Sequence, residues 1–193
     1  MLTSAMAAEG KSLVIANLAV VMAQAAKRVL VVDCDIRRPT LHLYLGTRQL
    51  PGLTGFLVDG IPLDDAIVPT KVPNLWLMPS GALPPNPSEL LDSVHMRGIW
   101  EQLSPGYDQI LVDSPPLLAV TDGALLAGQV DGVVLVVEAG ETRADAAQEA
   151  KHVLVSAGGR VIGAVLNQVR DGQGRYYYRY HYGYYGESER STS

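Results

Sequence analysis

Thr3-Ser-Ala-Met-Ala-Ala-Glu-Gly-Lys-Ser12 runs straight into the apolar stretch Leu13-Val-Ile-Ala-Asn-Leu-Ala-Val-Val-Met-Ala-Gln-Ala-Ala26. In a turn of this kind Gly10 lets backbone N–H groups approach phosphate oxygens, and Lys11 reaches the outer phosphates. Ser12 offers a hydroxyl to Mg²⁺, and the helix N-terminus adds partial positive charge. The strict Gly-x4-Gly-Lys-Ser spacing fails at its first position, which is Ala5. Taken alone, the segment leaves a plain strand–turn–helix open, so the rest of the chain has to decide.

Downstream, short β-branched runs alternate with helical stretches. The pattern predicts strands over Arg28–Asp33, Leu75–Pro79, Gln109–Asp113, Gly132–Glu138 and Arg160–Asn167. Runs such as Gly132-Val-Val-Leu-Val-Val137 are apolar on both faces, as strands of a sheet covered on both sides must be. Helices are predicted over Lys11–Ala26, Ser88–Leu103, Asp122–Gln129 and Thr142–Ser156, with Ser88, Thr142 and Asp122 read as caps. This alternation implies right-handed crossovers and a doubly wound, mostly parallel α/β sheet. Gly46 to Pro87 is rich in Gly and Pro and should hold short helices, one opening at Gly52. From Arg170 the pattern stops, which divides the chain into a domain, residues 1–169, and a flexible tail, residues 170–193. Only Met1 and Leu2 precede Thr3, fewer than the ~5–6 residues of an ordinary strand. The first strand is therefore expected to be cut short, and the chain to lack an N-terminal piece.

Three further elements resemble phosphate or magnesium chemistry. Val29-Leu-Val-Val-Asp-Cys-Asp-Ile-Arg-Arg-Pro39 delivers Asp33 and Asp35 to a strand tip, where open α/β sheets place their ligands. Two carboxylates there can hold Mg²⁺ or accept a hydroxyl proton, or can simply cap a turn. Gln109-Ile-Leu-Val-Asp-Ser-Pro-Pro116 has the form of a Walker B strand ending in Asp113. Asn167, just past a strand, can hydrogen-bond an adenine edge or form a turn. A parallel sheet brings such tips to one edge, and their coincidence selects a Mg–nucleotide site.

Composition narrows the alternatives. Of 193 residues, 48% are hydrophobic and 18% charged, which describes a globular domain. A net charge of −5 argues against a nucleic-acid surface. The single cysteine, Cys34, excludes an intrachain disulfide and suits a reducing cytoplasm; it reads as packing. The longest uncharged stretch, Ser12–Ala26, is shorter than the ~18–20 residues of a spanning helix, and no secretory leader is expected from the small and polar residues after Met1. His42, His95, His152 and His181 have no metal-ligand spacing. Trp76 and Trp100 read as core or interface.

These residues resemble the bacterial tyrosine kinase family, the capsular and exopolysaccharide tyrosine autokinases. The family's P-loop, Thr-Ser-x-x-Pro-Gly-Glu-Gly-Lys-Ser, is matched at Thr3, Ser4, Glu9, Gly10, Lys11 and Ser12, with Ala7 and Ala8 replacing its Pro and Gly. Its second Walker element, Val-Asp-x-Asp-x-Arg-x-Pro, is matched from Val32 to Pro39, and its Asp-x-Pro-Pro by Asp113, Pro115 and Pro116. The signature Gly-x-x-Pro-Pro-Asn-Pro-x-Glu-Leu-Leu is whole at Gly81–Leu91. The resemblance implies the fold of the deviant-Walker, partitioning-type P-loop ATPases. ATP would lie against Ala7, Ala8, Glu9, Gly10, Lys11, Ser12 and Leu13, with Asn167 nearby. Mg²⁺ would be held by Ser12, Asp33, Asp35 and Asp113. Lys11, Asp33, Asp35 and Asp113 would be catalytic, with Asp33 the preferred proton acceptor.

Seven of the nine tyrosines cluster in the tail: Tyr176, Tyr177, Tyr178, Tyr180, Tyr182, Tyr184 and Tyr185. Beside the resemblance they read as phosphoacceptors, and composition alone would equally suit a sticky low-complexity segment. The family implies a ring-shaped homo-oligomer phosphorylating in trans and a membrane-embedded chain-length regulator as activator. It also implies a phosphotyrosine phosphatase and a cytoplasmic place at the inner face of the membrane. Two rival readings share the P-loop: a partitioning-type ATPase that phosphorylates nothing, and a degenerate interaction module without catalysis.

Overall fold

The computed structural model describes residues 1–170. Strands are β1 (Leu2–Ser4), β2 (Val29–Asp33), β3 (Val68–Pro69), β4 (Leu75–Met78), β5 (Gln109–Asp113), β6 (Val133–Glu138) and β7 (Val161–Asn167). Helices are α1 (Lys11–Gln24), α2 (Leu41–Tyr44), α3 (Gly52–Asp59), α4 (Leu63–Ala66), α5 (Pro87–Leu91), α6 (Val94–Leu103), α7 (Asp122–Ala127) and α8 (Ala144–Ser156). The sheet order is β3-β4-β2-β5-β1-β6-β7, parallel throughout except for β3, which runs antiparallel on β4.

Alternation along the strands builds two cores. Val29 and Val31 of β2 join Leu75, Leu77 and Leu111 on the face covered by Ile15, Ala16, Ala19 and Ala23 of α1. Leu30 and Val32 join Met78 and Val112 on the opposite face, under Leu53, Leu91, Ile99 and Leu126. The small residues on α1 let the helix approach the sheet closely. That seats its first turn over the strand tips.

β1 forms, but with three residues only, wedged between β5 and β6 with Leu2 opposite Asp113 and Val134. The five predicted strands all form, within a residue at either end. The edge strand β3 was not predicted, because Val68-Pro69 is too short to show alternation. The predicted helix Ser88–Leu103 is two helices. Ser93 interrupts it and caps α6, its hydroxyl accepting the Met96 N–H at 3.1 Å. Neither Ser88 nor Thr142 caps a helix: the residues at those positions are Asn86 and Arg143. Asp122 does not cap α7 either but is buried in an ion pair described below. The tail beyond Arg170, with all seven clustered tyrosines, lies outside the described residues.

The signature glycine at position 81 has a local cause. The strand exit Pro79–Gly81 lies against the start of α3, with Leu53 N–H donating to the Pro79 carbonyl at 2.7 Å and Thr54 N–H to Ser80 at 2.9 Å. Gly81 takes φ +83°, and a Cβ there would strike Thr54 Oγ1 and the Pro51 carbonyl. Gly60 has φ +67° but open space around its Cβ position. Gly81→Ala should therefore cost about 1–3 kcal/mol, and more than Gly60→Ala, in urea unfolding. Equal losses at the two positions would contradict the close approach.

Candidate active site

The turn between β1 and α1 is braced from three sides. The Glu9 carboxylate folds inward, accepting the Met6 N–H at 2.9 Å and a hydrogen bond from the Thr142 hydroxyl. Thr142 itself accepts the Glu138 N–H at 2.8 Å, tying the turn to the tip of β6. Asn167, at the tip of β7, donates its amide to the Glu9 carbonyl at 2.9 Å. Gly10 lies directly under that amide with φ +83°, leaving no room for a side chain. Ala8 takes φ 69°, a conformation costly for an L-residue and free for glycine, the residue that the resemblance implies at this position.

At the centre lies a buried cation. Lys11 Nζ is 2.9 Å from Asp35 Oδ2, 3.0 Å from Ser12 Oγ and 3.4 Å from Asp113 Oδ2. Ser12 Oγ donates to Asp113 Oδ2 at 2.6 Å. Asp33 and Asp113 are register partners at the tips of β2 and β5. Both Asp33 oxygens are engaged by backbone, from Asp35 N–H at 3.2 Å and Leu41 N–H at 3.3 Å. Burial alone would weaken the Lys11 ammonium, but Asp113 and Asp35 outweigh it and hold its pKa above the ordinary lysine value. Burial first, then the charges of Asp113 and Asp35, pushes the Asp33 carboxyl well above the usual carboxylate range. Burial also raises Asp113, against the opposing pull of Lys11 and the Ser12 hydrogen bond. Three carboxylates thus surround one ammonium.

A cavity of about 710 Å³ opens beside this cluster, lined by Ala7, Ala8, Gly10, Lys11, Ser12, Leu13 and Asp35 among the expected residues. Its other wall comprises Arg37, Arg38, Thr40 and Tyr44, facing Pro115 and Pro116. Glu9 and Asn167 do not line it; they hold the turn that does, and the Asn167 amide is committed to the Glu9 carbonyl. Asp33 and Asp113 are likewise absent from the lining and wholly buried, so the carboxylate facing the cavity is Asp35. Among the described residues no three His, Cys, Asp or Glu side chains converge on one metal position. In this arrangement Asp33 is held by backbone and Lys11 lies between Asp35 and Asp113. Ser12 and Asp113 set a hydroxyl beside a carboxylate whose buried Oδ1 accepts no hydrogen bond among the described residues, though Lys11 Nζ lies 3.4 Å from it. That all-oxygen pair fits a hard cation such as Mg²⁺. Sequence reading took Thr142 and Asp122 for helix caps and did not single out Tyr44. For Thr142, its place just past β6, next to β1 in a sheet of this kind, was an available signal.

The AAA domain family matches residues 8–152. The chain is 38% identical over 189 residues to the tyrosine-protein kinase YwqD of Bacillus subtilis, covering 98% of this chain and 78% of that protein. It belongs to the bacterial tyrosine-protein kinase family. The kinase domain of the Escherichia coli tyrosine kinase ETK superposes with a TM-score of 0.85 at 35% identity, over 88% of this chain and 66% of that one. The septum site-determining protein MinD of Pyrococcus horikoshii, solved with Mg-ADP, gives a TM-score of 0.75 at 27% identity, over 89% and 70%. The fold of this kinase-family chain is thus the nucleotide-binding, deviant-Walker P-loop fold.

Removing the central cation tests these electrostatics. Lys11→Met keeps similar volume but leaves Asp33, Asp35 and Asp113 uncompensated, and breaking such a buried pair costs about 3–5 kcal/mol. A carboxyl whose folded pKa is raised destabilises the fold above that pKa. The cost fades as pH falls toward the unfolded value of ~3.9. The melting deficit of Lys11→Met against wild type should therefore shrink between pH 8 and pH 5. A deficit independent of pH would contradict the carboxylate cage.

Proposed function

We propose that this chain transfers the γ-phosphoryl group of Mg-ATP to its own C-terminal tyrosines, Tyr176, Tyr177, Tyr178, Tyr180, Tyr182, Tyr184 and Tyr185. The observation that carries this reading is Lys11 and Asp35 meeting at the wall of a cavity of about 710 Å³, within the range of small-molecule sites. The turn N–H groups from Ala7 to Ser12 receive phosphate oxygens, and Lys11 exchanges its carboxylate partners for the outer phosphates. Held by Ser12 and Asp113, Mg²⁺ would supply charge neutralisation for the phosphates.

The phenol oxygen of the acceptor attacks the γ-phosphorus. The bond from that phosphorus to the bridging oxygen of ADP breaks, and the phenolic proton passes to a carboxylate. The phenol has an ordinary pKa of ~10, so a positioned base accelerates the step by roughly 10²–10⁴. Asp35 is the better base on geometry, since it faces the cavity and loses its Lys11 partner when nucleotide binds. Asp33, preferred from sequence, supports the turn through its backbone contacts.

The tail from Arg170 can span up to ~80 Å at ~3.3 Å per residue, far enough to serve a neighbouring subunit's site in a ring-shaped oligomer. Each phosphate adds roughly −1.5 to −2 charges, so phosphorylation should disfavour that assembly. No helix among the described residues is long and apolar enough to cross a membrane. On the family reading the chain works at the cytoplasmic face of the cell membrane, held and activated by a membrane-embedded chain-length regulator. Its setting is capsule or exopolysaccharide export, with a phosphotyrosine phosphatase reversing the reaction.

Mass spectrometry after incubation with Mg-ATP should find phosphate on the tail tyrosines of the wild type. Lys11→Met should abolish it, and Asp35→Asn should slow it by about 10²-fold or more while nucleotide still binds. Hydrolysis of Mg-ATP without phosphotyrosine would instead identify a partitioning-type ATPase, and absence of nucleotide binding an interaction module.

A further inference from the structure

Arg37 is held unusually firmly for a cavity-wall arginine. Its Nε donates to Asp122 Oδ2 at 2.7 Å and its Nη2 to Asp122 Oδ1 at 3.1 Å, a two-pronged pair. Nη2 also donates to Ser88 Oγ at 3.0 Å, and Ser88 Oγ donates to Asp122 Oδ1 at 2.7 Å. The Asp122 side chain is fully buried, while that of Arg37 remains 36% exposed. A buried carboxylate is costly without a partner, so Asp122 requires this guanidinium. Three separate segments meet here: the turn after β2, the start of α5 in the Pro-rich signature, and the start of α7. Nη1 has no hydrogen-bond partner among the described residues, and Arg37 lines the same cavity as Lys11 and Asp35. The turn itself is pinned next door, where Asp35 Oδ1 accepts the Arg38 N–H at 3.0 Å.

We propose that Asp122 and Ser88 are positioning residues that aim Arg37 at the terminal phosphate of a bound nucleoside triphosphate. This rests on the nucleotide reading of the cavity. Once Lys11 moves onto phosphate, Asp35 is left facing the cavity, and a fixed cation on the wall is needed to accept a polyanion. A guanidinium already locked by a buried carboxylate supplies one without losing side-chain freedom on binding. The terminal phosphate distinguishes the triphosphate from the diphosphate, so Arg37 should act on that difference and not on nucleotide affinity at large.

Fluorescence titration with Mg-ADP and with the Mg complex of a non-hydrolysable β,γ-imido ATP analogue tests this directly. The wild type should prefer the triphosphate by about tenfold or more, the size of one charge-assisted hydrogen bond. Arg37→Ala should erase that preference. Asp122→Asn and Ser88→Ala should each reduce it, with ADP affinity kept within about twofold. Arg37→Lys should fail to restore it, because an ammonium cannot make the fork. In the Arg37→Ala background neither Asp122→Asn nor Ser88→Ala should have further effect. An unchanged preference in both Ser88→Ala and Asp122→Asn overturns the proposal, as does an equal loss of both ligands. So does an undiminished effect of either change in the Arg37→Ala background. Should Asp122→Asn fail to fold, the Ser88→Ala and Arg37→Ala pair completes the same cycle. A wild type that binds both nucleotides equally overturns this inference alone, and one that binds neither overturns the site reading with it.

Discussion

One buried ammonium among three carboxylates sets the terms for everything around it. Lys11 contacts Asp35 and Asp113, while Asp33 and Asp113 face each other across neighbouring strands. A cluster with that excess of negative charge is unfavourable in a protein interior, and burial pushes the Asp33 and Asp113 carboxyls toward their neutral forms. It persists because the strands that carry it are locked by two apolar cores. On the proposed nucleotide reading, the site exchanges this internal cation contact for a ligand bearing its own charge and metal. Such tension between fold and site is where sequence rules are expected to be broken.

The phosphate-binding turn relies on its neighbours for shape. Its supporting strand has three residues, and Ala8 stands in a left-handed conformation that a glycine would adopt freely. Compensation comes from the two strands on the far side of β1. β6 anchors Thr142, which grips the Glu9 carboxylate, and β7 delivers Asn167 to the Glu9 carbonyl. The buried Glu9 side chain is therefore a hinge-pin for the turn. Its sequence match to the family has a structural cause, as does that of Gly81, where strand exit and helix start come too close for a side chain.

How much of this was legible beforehand depended on the range of the interaction. Val29–Asp33 and Gln109–Asp113 announced themselves because strands covered on both faces must be continuously apolar, and their terminal aspartates could be seen at once. Lys11, Ser12, Asp35 and Asp113 followed from local patterns, and the parallel sheet brought them together. Pairings between residues far apart in sequence could not be seen. Ser88 and Asp122 looked like helix caps because both types favour caps, yet 34 positions apart they share one hydrogen bond and one arginine. Local sequence could not rank Asp33 against Asp35, and the preference for Asp33 came from the family resemblance. Only the backbone fold after β2 shows that the first is spent on N–H groups while the second faces the cavity.

The most direct measurement is a crystal structure of the chain with Mg²⁺ and a non-hydrolysable ATP analogue. Lys11 Nζ should have left Asp35 for a phosphate oxygen, with the phosphates cradled by the turn from Ala7 to Ser12 and the metal beside Ser12 and Asp113. Nucleotide bound elsewhere, or bound there with the ammonium still seated between Asp35 and Asp113, would contradict the claim that this cage is the phosphate site.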